Sequence, residues 1–563
     1  MAIRDSLERT PADVPADARL NRRQFLQSAA LGIAAVSAGQ TAGPLIAAPM
    51  TPQADGPAPA QAFELNEVTI DGLQKAMQAG EYTAESVTEL YLRRIDSVDR
   101  GGPQVRSVIE VNPDAQAIAA ALDRERATGR VRGPLHGVPV ILKDVFDTAD
   151  RMRTTAGSLA LAGSFAPRDA FVVERLRAAG AVIIAKGNLS EWSNVRSTRA
   201  TSGWSARGGL TRNPYVLDRT ACGSSSGTGA AVAANFATLG IGAETDGSIA
   251  CPSSANSLVG IKPTVGLWSR AGIIPVSYSQ DTPGPMARTV RDAAILLGAL
   301  TGLDPRDPAS TESRGRAATD YTRALDERAL RGVKVGVIRR EHESDPALDR
   351  VLNSSLDVLR SAGAVIVRDV AIPTMDQLQG PETFLLICEF KDAIAEYLAT
   401  RGSDEKHRTL ADLIRFNEEN AEVEMPWFGQ DWFEASEKTQ GRKTDRYLEA
   451  VSTCRRLART EGLDRVLGGG LDVIVGLAAT VPFASDLVVG DRPIVRNSSL
   501  SAVSGYPRVT VQAGFVHGLP VGLSLMGPAW SESRLLGYAY AFEQESPVRR
   551  PPQFLQYPVA DKY

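Results

Sequence analysis

Between residues 219 and 263 the chain carries two tight glycine- and serine-rich loops with one short helical segment between them. The rest of the molecule has to be built around that arrangement. The first loop, residues 222–229, reads C-G-S-S-S-G-T-G and opens a small-residue helix predicted over 230–238. A short strand-like piece follows, and then a second turn, Glu244-Thr245-Asp246-Gly247-Ser248. Glycine lets the backbone enter left-handed or crowded conformations and brings amide N–H groups close to a ligand. A helix N-terminus adds partial positive charge. Two serines held around one helix in this way suit a developing negative charge. A flexible linker is disfavoured, because apolar helix residues follow at once, and a phosphate-cradling loop lacks its G-K-[ST].

Upstream stands Gly137-Val138-Pro139-Val140-Ile141-Leu142-Lys143-Asp144, a continuous apolar run that predicts a strand buried on both faces and ending at Lys143. With this run, the double loop resembles the amidase signature family, hydrolases that use a Ser–cis-Ser–Lys triad. Laid over the family's G-G-S-S-G-G and G-G-S motifs without a gap, Ser224 falls on the cis-serine, Ser248 on the nucleophile and Lys143 on the base. The variant E-T-D-G-S-I, with C-P after it, is most similar to the bacterial peptide amidases, which remove C-terminal amides from peptides. The likeness extends over roughly residues 63–543. It implies an α/β fold, a large mixed twisted sheet flanked by helices on both faces in one catalytic domain. It also implies an oxyanion hole from the backbone N–H groups of Thr245, Asp246, Gly247 and Ser248, a cis bond before Ser224, and support of the serine loop by Gly223, Ser225 and Gly227. Neither a cofactor nor a metal is expected. Three residues depart from the family pattern: Asp246 and Cys222 replace glycines, and Ala250 stands where many members have arginine.

Amide hydrolysis asks for an activated nucleophile, a stabiliser for the oxyanion and a proton for the leaving nitrogen. Lys143 serves as base only when neutral. An ordinary lysine, with a pKa of about 10.4, is neutral in about one molecule in 2,500 at pH 7. The chemistry therefore requires a dry pocket with no carboxylate bound to Lys143, so Asp144 is expected to point elsewhere. The rival lysine, Lys186, begins a K-x-N-x-x-E block with Asn188 and Glu191 and reads as structural.

No Pro/Gly/Ser-rich linker divides the chain after residue 62, so residues 63–563 are read as a single domain despite a length that would accommodate several. With 62 Lys+Arg against 66 Asp+Glu, there is no basic excess for nucleic acid. The expected partner is a small-molecule or peptide amide, and the chain is expected to act as a monomer or homodimer. The four cysteines lack C-x-x-C spacing and read as small buried thiols. Cys222 and Cys251 flank the two serine loops, which leaves their proximity open. The four histidines show no metal-ligand spacing.

Residues 1–48 read as a twin-arginine-type signal peptide: Arg22-Arg23-Gln24-Phe25-Leu26 precedes an apolar run over 28–36 too short to span a membrane. An amphipathic helix is disfavoured by Gly32, Gly39 and Gly43. Cleavage after Ala38 or near Ala47–Ala48 fits equally, and residues 49–62 read as a Pro/Ala-rich linker. A periplasmic or secreted enzyme without stable membrane insertion is expected.

Further along, an amphipathic helix capped by Thr83 is predicted, as is one over 115–127 stopped by Gly129. Helix–Gly–strand units are predicted around Gly180 and Gly363. Residues 281–286 read as a loop wall of the pocket and 304–320 as a polar surface loop. The aromatic-bearing helices of 384–432 read equally as a lid or as core packing. By the family resemblance, Gly505-Tyr506-Pro507 and residues 518–523 correspond to a closing hairpin, followed by a helix predicted over 532–543. Three functions are carried forward: a peptide C-terminal amidase, a broader acyl, aryl or fatty amide amidase, and a catalytically silent amide-binding protein. Glutamyl-tRNA amidotransferase activity is set aside, since an exported protein meets no charged tRNA.

Overall fold

The computed structural model describes residues 63–338, 345–492 and 497–560. The signal peptide, the linker over 49–62 and His342 lie outside the described residues.

Thirteen strands follow one another along the described chain: β1 (Val108–Val111), β2 (Pro139–Lys143), β3 (Val182–Gly187), β4 (Trp204–Ser205), β5 (Gly209–Leu210), β6 (Leu239–Glu244), β7 (Val259–Lys262), β8 (Thr282–Ala287), β9 (Lys334–Val337), β10 (Val365–Val367), β11 (Val473–Leu477), β12 (Arg508–Val516) and β13 (Leu519–Met526). Eleven form one mixed sheet in the order β1-β3-β2-β6-β8-β7-β12-β13-β11-β9-β10, and β4 pairs with β5 apart from it. At one end β3, β2 and β6 run parallel, at the other β11, β9 and β10 do, and the middle of the sheet is antiparallel. Helices flank this sheet, and the parallel strands β2 and β3 are buried along their whole length, as apolar runs covered on both faces are, whereas β10 at the far edge keeps Val365 and Val367 exposed. Every residue of β2 is buried.

The local signals behave as their chemistry predicts. Thr83 caps the helix Ala84–Arg94 in a capping box with Ser86, and the helix Ala115–Ala127 gives way to Gly129 at φ +80°. Gly180, at φ +76°, turns the helix Phe171–Ala178 into β3, and Gly363 does the same between the helix Pro346–Ser361 and β10. His517 and Gly518, both at positive φ, make the tight turn that joins β12 to β13, and the helix Glu532–Glu545 closes the fold. No helix of the described residues is long and apolar enough to cross a membrane.

Three expectations are corrected. The helix after the first serine loop spans Ser226–Ala233 and ends before Asn235, which has φ +61°. It starts four residues earlier than its apolar residues suggest, because buried Ser226, Gly227, Thr228 and Gly229 are its first turn. Of residues 281–286, expected as a loop, all but Asp281 lie in β8 inside the sheet despite Pro283 and Pro285. β7 pairs with only Met286 and Ala287, so the prolines occupy a stretch with a single ladder partner, β6. The polar segment over 304–320 is tied inward: Asp304 accepts from Ser269, Asp307 pairs with Arg270 at 2.7 Å, and Ser310 and Ser313 are buried. In the 384–432 region, core packing accounts for most of the aromatics. Phe390, Tyr397 and Phe428 are buried, and Phe390 stacks on Phe433 at 5.2 Å, while Trp427 is exposed.

Candidate active site

Two short helices carry the serine loops onto the sheet. Ser226–Ala233 packs across β2, β3 and β6, and Ala250–Ala255 packs against β7, β12 and β13. Their N-terminal ends therefore meet above the end of β2, where Lys143 emerges.

Lys143 Nζ lies 2.7 Å from Ser224 Oγ, and Ser224 Oγ lies 2.9 Å from Ser248 Oγ. The sequence motif alone brought these three residues together, and the fold places them in one hydrogen-bonded chain. Lys143 and Ser224 are sealed from solvent at 1% and 0% exposure, whereas Ser248 keeps 7%, so the open end of the chain is Ser248. The peptide bond between Gly223 and Ser224 is cis. A side chain at Gly223 would run into Ser190 Oγ, and one at Gly227 into the backbone of Ser107 and Asn188. Ser225 joins the two loops, its N–H donating to the Ser248 carbonyl at 3.2 Å.

Burial pushes the Lys143 amine down to about 7, against the opposing pull of Asp281 and Glu244. Its second partner is the neutral carbonyl of Ala243 at 3.2 Å. Asp144 turns away, as required: it accepts from Thr155 and faces Arg207 at 3.6 Å and Lys186 at 4.0 Å. Lys186 donates to the carbonyls of Phe146 and Arg153 and to Thr154, which is a structural role. Among the described residues, the N–H groups of Thr245, Asp246, Gly247 and Ser248 donate to no internal acceptor. Gly247, at φ +82°, supplies the left-handed turn that lets consecutive amides face one side.

The profile of the Amidase family matches residues 86–536. This chain belongs to the amidase family. It is 41% identical to a probable amidase of Arabidopsis thaliana over 88% of this chain and 93% of that protein. Among solved structures, it is similar to the native peptide amidase of Stenotrophomonas maltophilia, with 48% identity, a TM-score of 0.84, and coverage of 88% of this chain and 100% of that one. It is also similar to an amidase family protein of Bacillus anthracis, with 35% identity, a TM-score of 0.79, and coverage of 87% and 93%. The reaction to be explained is hydrolysis of a carboxamide bond.

Glu244 and Ser499 carried no role of their own in the sequence reading, and Asp281, read as part of the pocket wall, does more than line it. Glu244 folds back to accept the N–H groups of Ile249 at 2.8 Å and Ala250 at 2.9 Å, removing those two donors from the open set. Asp281 accepts from Thr245 Oγ1 at 2.6 Å and from the N–H groups of Val276 and Ser277, and so holds the start of the same loop. Ser499 donates to Asp246 at 2.7 Å. The acidic residues were visible in E-T-D-G-S and D-T-P-G-P, but nothing local indicated that they turn inward. One expectation is overturned: Cys222 and Cys251 are joined in a disulfide, Cα to Cα 5.8 Å, because converging serine loops bring them within bonding range. Cys388 and Cys454 are buried free thiols, as expected.

Proposed function

We propose that this amidase hydrolyses the C-terminal carboxamide of peptides, releasing ammonia and a free carboxylate through an acyl-enzyme on Ser248. The observation that carries the reading is the hydrogen-bonded chain from a buried, low-pKa Lys143 through Ser224 to Ser248, beside four N–H groups that find no acceptor among the described residues. Hydroxyl and amine hydrogens rotate, so the same heavy-atom positions serve with the donors reversed. Ser248 then donates to Ser224 Oγ and Ser224 donates to the Lys143 lone pair. As Ser248 Oγ attacks the carbonyl carbon, its proton moves along this wire, and the oxyanion is held by the N–H groups of Thr245 to Ser248. The proton returns through Ser224 to the leaving nitrogen, the C–N bond breaks, and ammonia departs. Water activated by the same wire then cleaves the acyl ester.

The choice of peptide amides rests on the likeness to the Stenotrophomonas peptide amidase and on the E-T-D-G-S-I-A-C-P stretch. A panel of peptide amides, aliphatic amides and anilides, read by ammonia or aniline release, tests it. Peptide amides are expected to lead in kcat/KM by about tenfold or more, since specificity follows differential transition-state binding. Equal or faster turnover of anilides would favour the broader amidase reading.

We further propose export through the twin-arginine-type signal to the periplasm or beyond. The Arg22-Arg23 pair supports this, and a disulfide beside the active site suits an oxidising compartment. Changing Arg22 and Arg23 together to lysine is expected to leave activity in the cytoplasmic fraction. Unchanged fractionation of that variant contradicts export by this route.

A further inference from the structure

We infer that the Cys222–Cys251 disulfide is a positioning element for catalysis, and that reducing it switches the amidase down without unfolding it. The inference rests on the triad reading given above. The bond sits where it bears on the serines from both sides: Cys222 is two residues before Ser224, and Cys251 is three residues after Ser248. Cys222 adjoins the Gly223–Ser224 peptide and holds a left-handed φ of +54°, a conformation disfavoured for a residue with a side chain. Cys251 donates its N–H at 2.8 Å to the carbonyl of Gly247, the residue before Ser248. The covalent tie therefore runs from one serine loop to the backbone of the other.

Each loop is held on its own side, the first against Ser190, Ser107 and Asn188 and the second by Glu244, Asp281 and Ser499, but few groups tie one loop to the other. Neither loop has a large apolar side chain to pack across the gap, and the two cysteines lie in a cluster of four residues, with Ala255 and Ala479, apart from the main core. The remaining direct ties are single hydrogen bonds, such as Ser225 N–H to the Ser248 carbonyl and Asn256 Nδ2 to the Ala221 carbonyl. The Ser224–Ser248 contact at 2.9 Å is a hydrogen bond that weakens steeply as the oxygens separate. A displacement of about 1 Å costs on the order of a hundredfold in rate. The rest of the fold does not depend on the bond in the same way, because the helices that follow both loops pack on the sheet.

Reduction by a dithiol balances simply. A thiolate attacks one sulfur to give a mixed disulfide, and the second thiol closes to a cyclic disulfide. Two electrons and two protons pass to Cys222 and Cys251. Cys251, 9% exposed against 2% for Cys222, is the more accessible residue of the pair, so attack at its sulfur with release of the Cys222 thiolate is the expected order.

The test compares oxidised and dithiothreitol-treated full-length enzyme on a peptide amide, with the thiol state verified by mass and thiol titration and the fold followed by circular dichroism. Reduction is expected to lower kcat by about tenfold to a hundredfold. KM should stay within about twofold and the dichroism should not change, and re-oxidation should restore the rate. The Cys222→Ala/Cys251→Ala double variant is expected to show the reduced enzyme's kcat and no response to dithiol. A fully reduced enzyme with undiminished kcat overturns the inference, as does loss of the native dichroism on reduction, which would make the bond a fold staple only. Ser248→Ala, run alongside, separates the two claims. Its retained turnover removes the triad reading itself, whereas its inactivity beside an active reduced enzyme removes only the role given to the disulfide.

Discussion

Ser248→Ala is expected to lower turnover of a peptide amide by about 10⁴-fold or more, the size seen when the nucleophile of a hydrolytic triad is removed. The fold should be unaffected. Ser248 is the least buried member of the chain, and its hydroxyl accepts one hydrogen bond, from Ser224. Loss of that bond amounts to about 1 kcal/mol. Ammonia release and circular dichroism on the same sample check both halves. Turnover within tenfold of the native enzyme would leave Ser248 outside the chemistry. A fluorophosphonate should label the native enzyme at Ser248 and leave the variant unmodified, which also excludes a silent amide-binding protein.

Lys143→Met is expected to move activity and stability in opposite directions. Activity falls by about 10³-fold, within the range for loss of a positioned general base. Stability rises, because the native fold holds at about 7 an amine whose ordinary pKa is 10.5. Between those two values the unfolded chain binds more protons, so native stability increases with pH across that window. Below pH 7 the full penalty applies, on the order of 5 kcal/mol for a shift of this size. Methionine removes the penalty and loses the hydrogen bonds to Ser224 and the Ala243 carbonyl, about 1 kcal/mol each. A net gain of about 2–3 kcal/mol at pH 7, measured as a higher denaturant midpoint, is the expected result. A destabilised variant would mean that Lys143 is charged and paired in the native protein.

The pieces of this site that were legible in the sequence are those whose chemistry is local. The strand that delivers Lys143 is an unbroken apolar run, and the two serine loops carry their glycines at the positions where the backbone turns or crowds. Gly180 and Gly363 likewise mark real helix ends. What escaped was set by tertiary contact. The first turn of the helix Ser226–Ala233 is glycine, serine and threonine, residues with poor helix propensity, and it is helical because the helix packs across β2, β3 and β6. β8 contains two prolines and reads as loop from its composition, yet it needs ladder partners mainly on one side. The disulfide depended on two loops converging, which spacing along the chain does not encode.

The central claim is that the amine at position 143 gives up its proton near neutral pH, and a titration of that amine tests it most directly. With lysine labelled at Cε and Lys143→Met used to assign its resonance, carbon NMR across pH 5–11 should give a midpoint near 7 for Lys143, and kcat/KM should rise tenfold per pH unit below that midpoint and level above it. A midpoint near 10, the value of a solvated lysine, would contradict the account.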